Sequence, residues 1–435
     1  MTTAQKLFVG AILVLGIILR FHNYDVYPQR GATSDEYTYS FLGQSLLTKG
    51  VPISWSYFDA YKNREDLTID KLYFPIVWPY FDHPPLNGLV VAMWAIARGE
   101  TTFEQIQLST IRLVPIALTT ISSVLLFLLL ERHYTYPVAV LGLLIYQTST
   151  IMVVSSRVVM AENLLTPILL GALLYYDRVR KKVLLKNATV LGILSGLALW
   201  TKELGIVVGM SLVALLVYDK QKIRHIAVII AGLIVATLGY IVYGFAYDKE
   251  VFLAIVGAQA TRMVGPQTLW LLTSRPVLIN KIFYDGWYIF GIIACFVCFM
   301  DMRKHIRWLL PFFLYFVLLL GTLTQEGEMG WYMIVAYPFM AAAAAVVLAP
   351  AWKKPHGMLT IAILFIGLSL FYYMIEVPFG ITVTRFRLFL GLIFVPYLWA
   401  MVTSREKLTV RLQKTYLAAL FILSSIYTYS YVHPS

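Results

Sequence analysis

"PPLNGLVVAMWAIARG", residues 84–99, decides how this chain is laid out. It looks like a membrane span, but its apolar core is only about 12 residues, and a full crossing needs about 20. Six turns rich in Lys and Arg separate apolar segments elsewhere: "ERHYTYP" (131–137), "DRVRKKVLLK" (177–186), "YDKQKIRH" (218–225), "DMRKHIR" (301–307), "WKKPHG" (352–357) and "SREKLTVRLQK" (404–414). Basic loops stay on the cytoplasmic side of a membrane. If 84–99 crossed, every later loop would invert, and "DRVRKK" and "DMRKHIR" would face outward. Read as an interfacial or re-entrant helix, it leaves all six basic turns inside.

Composition demands a membrane protein in the first place. Of 435 residues, 59% are hydrophobic and 13% charged, with a mean hydropathy of +0.73. A chain of many membrane helices carries that composition and a soluble domain does not. Aromatic residues reach 15%, and Tyr and Trp favour the two membrane interfaces. The net charge of +12 sits in the short basic turns, so cytoplasmic loops account for it and a nucleic-acid partner is not expected. Cys295 and Cys298, in "ACFVCF", have the spacing of a redox pair but an apolar, helical context. They read as small hydrophobes, and no disulfide framework exists. The first apolar stretch, 7–19, lies between Lys6 and Arg20 with no small-x-small cleavage site close behind it. A retained first span is expected.

The expected fold class is an all-α polytopic membrane protein of about 13 transmembrane helices, with interfacial helices in the first outer loop. The spans fall near 7–20, 111–131, 137–154, 162–176, 188–201, 203–218, 225–246, 286–300, 307–323, 331–349, 358–375, 385–402 and 415–431. The N-terminus lies in the cytoplasm. Residues 1–435 form one transmembrane domain with two long extracytoplasmic loops, 21–110 and 247–285, and no separate soluble domain. The run Ala341 to Ala345 predicts close helix packing.

This topology gathers the unusual polar groups on the outer face. They are Asp35 and Glu36, "DHPPL" (82–86), "SRVVMAEN" (156–163), "WTKE" (200–203) and "QEGEMGWY" (325–332). Ionisable groups at a membrane boundary are costly and so mark candidate functional sites. "TSDE" (33–36) also reads as a capping box, with Thr33 as N-cap and Glu36 three residues later. It opens an amphipathic helix with Tyr39, Leu42 and Leu46 on one stripe. The prolines after His83 fix backbone direction and suit a helix start. His83 fits a structural histidine, a phosphate ligand or a metal ligand. Arg157 and Glu162 fit either a salt bridge or a second carboxylate with a phosphate-binding arginine beside it. Lys202 either snorkels to lipid headgroups or holds a phosphate. Arg262, in "QATRMVGPQTLW", suits a segment lying on the membrane near a lipid ligand.

Taken as one site, carboxylates and cations at an outer membrane surface suit group transfer from a phosphate. A carboxylate takes a proton from an acceptor, and cations stabilise the leaving phosphate. Nucleotide sugars are cytoplasmic, so an outward-facing site needs a donor anchored in lipid, and a polyprenyl-phosphate sugar meets that requirement.

With these motifs in order, the chain resembles the integral-membrane glycosyltransferases of the C-type fold. It is most similar to the protein O-mannosyltransferases and lipid A aminoarabinose transferases. The acidic pair is Asp35-Glu36, and the [His/Lys]-Pro-Pro-Leu segment is His83-Pro84-Pro85-Leu86. An Arg-x-x-Met-x-Asp stretch is matched by Arg157 and Met160, with Glu162 in place of Asp. Thr201-Lys202 matches a Thr-Lys pair, and "WYMIVAYP" (331–338) a late aromatic stretch. The resemblance implies inverting transfer of a sugar from a polyprenyl-phosphate donor to an extracytoplasmic protein, glycolipid or polysaccharide. Asp35, Glu36 and Glu162 would be the catalytic acids. His83, Arg157, Lys202 and Arg262 would bind the donor phosphate. Tyr39, Trp331 and Tyr332 would line the substrate site. No cofactor is expected and no metal-ligand spacing stands out, though the family is mixed on divalent metals. The competing reading is a transporter or flippase of polyprenyl-linked substrates. A multi-pass plasma-membrane location follows from either reading.

Overall fold

The computed structural model describes residues 1–69, 71–260, 276–322, 330–376 and 379–434. Helix α1 (Thr3–Phe21) leads into a first loop that holds α2 (Asp35–Lys49), a small sheet and α3 (Leu86–Ala97). The bundle continues through α4 (Leu108–Ile111), α5 (Leu113–His133), α6 (Tyr136–Thr148), α7 (Thr150–Ser155), α8 (Ala161–Val179), α9 (Leu185–Thr201), α10 (Ile206–Tyr218) and α11 (Ile223–Ala260). After a short hairpin come α12 (Gly286–Phe299), α13 (Met302–Thr322), α14 (Tyr337–Leu348), α15 (Met358–Phe371), α16 (Val383–Val402) and α17 (Glu406–Ser430). Each expected span contains a helix, although the one expected from 331 begins only at Tyr337, and the chain is an integral membrane protein. Length and composition alone mark four helical stretches as able to cross, Thr3–Phe21, Leu108–His133, Ile223–Ala260 and Met302–Thr322. The figure of 13 crossings does not follow from helix length.

Charge is sorted along the bundle axis. Helix α8 carries Glu162 in its first turn and Asp177 near its end, separated by about 22 Å at 1.5 Å per residue. At the Asp177 end the basic turns interlock. Asp177 pairs with Arg132 and, at 2.8 Å, with Arg180, while Arg307 meets Asp219 at 2.7 Å. Glu162 and Lys202 stand at the other end. The cysteines are free and buried, as small hydrophobes are. Every residue of the Ala341–Ala345 run is buried. Gly142 on α6 approaches it closely, since a Cβ there would lie 3.5 Å from the Ala345 Cβ.

Four local expectations are corrected. The first loop contains more than helices: β1 (Ser54–Trp55), β2 (Asn63–Ile69) and β3 (Leu72–Trp78) form an antiparallel sheet in the order β1-β3-β2. Helix α2 is no surface helix, because every residue from Glu36 to Ser45 is buried. The segment 137–154 breaks at Ser149, which is extended (φ −64°, ψ 124°). Helix α11 does not end near 246. It kinks at Asp248 (φ −163°, ψ 105°) and continues to Ala260. Asp248 Oδ1 restarts it by accepting from Val251 N at 3.0 Å.

Residues 84–99 form α3, whose 12 residues span about 18 Å, short of the ~30 Å hydrocarbon core. It packs on α2 through two glycines. A Cβ on Gly43 would lie 1.9 Å from Gly88 O. Gly43→Ala is therefore expected to cost about 1–3 kcal/mol through forced separation of the two backbones. Gly171→Ala, where nothing lies within 4 Å, should be neutral or slightly stabilising. Thermal unfolding of the two variants in detergent checks the contrast.

Candidate active site

The α2–α3 hairpin brings two chain entries together. Asp35 opens α2, where Ser34 rather than Thr33 is the N-cap, and Asp35 N donates to Thr33 Oγ1 at 3.3 Å. His83 precedes the Pro84-Pro85 start of α3 and stacks on Tyr39 with ring centroids 5.0 Å apart. Between them lies a cavity of 370 Å³ lined by Asp35, Asp82, His83, Tyr80, Trp55 and Tyr332, among others. Burial, with Glu162, Asp35 and Glu203 nearby, holds the Tyr39 hydroxyl well above its ordinary pKa. Tyr39 is thus a neutral group set among three carboxylates.

A second cavity of 580 Å³ adjoins the first and shares Asp82, Gln259 and Tyr332 with it. Its walls are mostly apolar, including Phe81, Phe245, Phe252, Leu253 and Val256, but Lys202 and Glu203 also face it. Lys202 closes α9. Its ammonium meets Glu162 Oε1 at 2.5 Å and lies 4.1 Å from the Tyr332 ring centroid. The pair is buried, and Glu162 Oε2 has no hydrogen-bond partner among the described residues. An ammonium has three donors, so one contact with Glu162 leaves capacity for a second anion.

Five expected site residues do not line these cavities: Glu162 and Tyr39 only touch the lining residues Lys202 and His83, and Glu36, Arg157 and Trp331 are placed elsewhere. Glu36 turns away from its neighbour into the protein. Arg112 grips it with two parallel bonds, Nε to Oε1 at 2.9 Å and Nη2 to Oε2 at 2.7 Å, and Val159 N donates to Oε1 at 3.1 Å. That ion pair replaces the expected capping box, because a buried carboxylate is satisfied better by a guanidinium fork than by one backbone N–H. Arg157 is buried against α1, donating to Leu19 O at 2.7 Å and Tyr27 O at 3.4 Å. It pairs with no carboxylate on Glu162, which belongs to Lys202. Trp331 is buried, 6.3 Å from Tyr332 by ring centroids. Arg262 lies outside the described residues.

Two cavity groups escaped the sequence reading. Asp82 is fixed by Tyr61, whose hydroxyl donates to Oδ1 at 2.6 Å. Gln259 arrives from the far end of α11 and donates to Asp82 O at 3.3 Å. The "DHPP" string was a signal for Asp82, overshadowed by His83. Gln259 opens the stretch "QATRMVGPQTLW", but the kink that folds it toward Asp82 is not visible in sequence.

Residues 82–245 match the family model described as dolichyl-phosphate-mannose-protein mannosyltransferase. No match is found among curated proteins. The structure is similar to ArnT from Cupriavidus metallidurans in the apo state, with a TM-score of 0.59 and 13% identity over 97% of this chain and 76% of that one. It is similar to the same protein bound to undecaprenyl phosphate, with a TM-score of 0.58 at 12% identity, over 97% and 76%. It is also similar to the oligosaccharyltransferase AglB from Archaeoglobus fulgidus, in complex with an inhibitory peptide and a dolichol-phosphate, with a TM-score of 0.51 and 12% identity. There it covers 100% of this chain but 56% of AglB. In its fold this chain is similar to ArnT and AglB, and the family match is confined to residues 82–245.

Proposed function

We propose that this protein is an inverting glycosyltransferase that moves a sugar from a polyprenyl-phosphate donor to an extracytoplasmic acceptor. One observation carries the reading: a polar cavity with a carboxylate joins an apolar cavity, and a buried lysine stands near the junction. A lipid-linked sugar has the same three parts. The sugar suits the Asp35 cavity, the phosphate suits Lys202, and the polyprenyl chain suits the apolar walls. The undecaprenyl phosphate in ArnT and the dolichol-phosphate in AglB support this donor class. The basic cluster around Asp177, at the opposite end of α8, supports a cavity on the extracytoplasmic side.

The chemistry is a single displacement. An acceptor hydroxyl or amine attacks the anomeric carbon, and the new bond forms as the anomeric carbon–oxygen bond to phosphate breaks. The bonding pair leaves with the phosphate, and the acceptor proton passes to the Asp35 carboxylate. Lys202 stabilises the charge that grows on the departing phosphate. Glu162 holds Lys202 in place, and His83, stacked on Tyr39, adds a second polar group at the cavity wall. Glu36 and Arg157 serve the frame. Metal-independent transfer is part of the proposal.

The test is release of free polyprenyl phosphate by purified protein given a panel of polyprenyl-phosphate sugars and an envelope extract. Acceptor-dependent release supports the reading. Movement of the lipid across vesicles without release would replace it with a flippase. Lys202→Met should weaken donor binding roughly tenfold to a hundredfold, the range for a hydrogen bond to a charged group. Because that change strands Glu162, the Glu162→Gln/Lys202→Met pair separates lost binding from lost folding, and titration with undecaprenyl phosphate reads the difference.

A further inference from the structure

From Ser54 to Tyr57 the chain leaves the polar cavity for the open face of the three-stranded sheet, and aromatic side chains mark the path. The Trp55 indole N–H donates to Ser34 O at 3.0 Å, one residue before Asp35. Its ring meets Tyr57 edge-on at 5.2 Å, and Tyr57 lies 6.5 Å from Tyr73. Trp55 and Tyr57 line the Asp35 cavity, yet Tyr57 is 61% exposed and Tyr73 41%. Scattered apolar groups on a surface need no explanation, but a row of large rings continuous with a polar cavity marks a binding surface.

The rings are held. Tyr57 OH donates to Tyr73 O at 3.4 Å. Tyr73 OH accepts from Arg64 Nη2 and donates to Asp66 Oδ1, each at 2.7 Å. A membrane interface also collects tyrosines. Here, however, the neighbouring strand β2 exposes Arg64, Glu65 and Asp66 in succession, a charged run that favours water over hydrocarbon.

Resting on the transferase reading, we infer that this aromatic ledge binds a glycan acceptor, which lies across Tyr73, Tyr57 and Trp55 and presents its end to Asp35. Rigid ring faces suit the C–H faces of pyranoses, and the Arg64–Asp66 edge suits their hydroxyls. A peptide acceptor commonly pairs with a free sheet edge. The edge beside the cavity is β1, only two residues long, and the longer free edge, β2, lies across β3 from it. The ledge therefore favours saccharide over extended peptide.

Saturation-transfer NMR on the detergent-solubilised full chain tests this. The probes are neutral hexasaccharides of glucose, mannose and N-acetylglucosamine, and a Ser/Thr-rich peptide. One hexasaccharide should bind, weaken roughly tenfold in Tyr57→Ala and recover in Tyr57→Phe. Tyr57 is exposed, so its truncation leaves the core untouched, and Tyr73→Ala should weaken the same probe. Absence of hexasaccharide binding, binding indifferent to Tyr57→Ala, or peptide binding that Tyr57→Ala removes would each overturn the inference. Binding of the probe needs neither donor nor Asp35. Glycan binding without donor release would thus remove the transferase reading alone, and Asp35-dependent release without glycan binding would remove the ledge alone.

Discussion

Asp35→Asn should lower the rate of acceptor-dependent transfer by about 10²- to 10⁴-fold, the range lost with a positioned general base. The substitution keeps size and hydrogen-bonding reach but removes the proton acceptor. Folding should survive it. Asp35 is half-buried at the start of α2 and lines a cavity rather than filling the core. Its first-turn charge is worth about 0.3–1 kcal/mol to the helix, and Asn keeps part of that. The measurement is initial rate of polyprenyl phosphate release beside thermal unfolding for the same preparation. A rate within about threefold of wild type would remove Asp35 as the base. A collapse in both rate and stability would make it a structural residue instead.

How far the site could be read in sequence depends on how far each residue's partner lies along the chain. Asp35, His83 and Lys202 stand out in sequence because costly polar groups at the ends of apolar segments are visible one at a time, and with Tyr332 they line the two adjoining cavities. The division of labour within "DE" does not stand out. Glu36 owes its role to Arg112, 76 positions away, and a local capping motif offered a sufficient explanation. Arg157 is ambiguous for a similar reason, since a turn arginine that faces a phosphate and one that donates to Leu19 O and Tyr27 O share one sequence. The sheet was hidden by its own burial. Phe74 to Val77 are all buried, so β3 shows no period of two, and Pro75 argues against a central strand. The fold accommodates it because Pro75 still offers its carbonyl, which accepts from Ser56 N at 3.0 Å just past β1, and only its N–H is lost to the ladder. Most helices were legible, because long apolar segments between charged turns leave few alternatives in a membrane, but the break at Ser149 and the kink at Asp248 leave no such mark.

Arg112→Met should have the opposite signature from Asp35→Asn, with stability lost first and activity following it. Removing the guanidinium strands the Glu36 carboxylate in a fully buried position, at a cost of about 3–5 kcal/mol. Arg112 also donates to Tyr24 O at 2.7 Å and Pro28 O at 2.8 Å. Its loss frees the segment between α1 and α2 from the bundle as well. Glu36→Leu with Arg112→Met removes both charges, and the buried charge penalty with them. The double variant should therefore be more stable than Arg112→Met alone, without regaining wild-type stability, because the Tyr24 and Pro28 carbonyls and Val159 N remain unpaired. A double-mutant cycle on thermal and denaturant unfolding reads the coupling. Additive effects would mean that the ion pair does not hold the frame. Strong coupling would explain why two adjacent acids stand beside the bilayer. Glu36 anchors the first loop to α5 and to the turn before α8, and that anchor fixes where α2 begins. Asp35 can then face the cavity at a constant position while its neighbour bears the structural load.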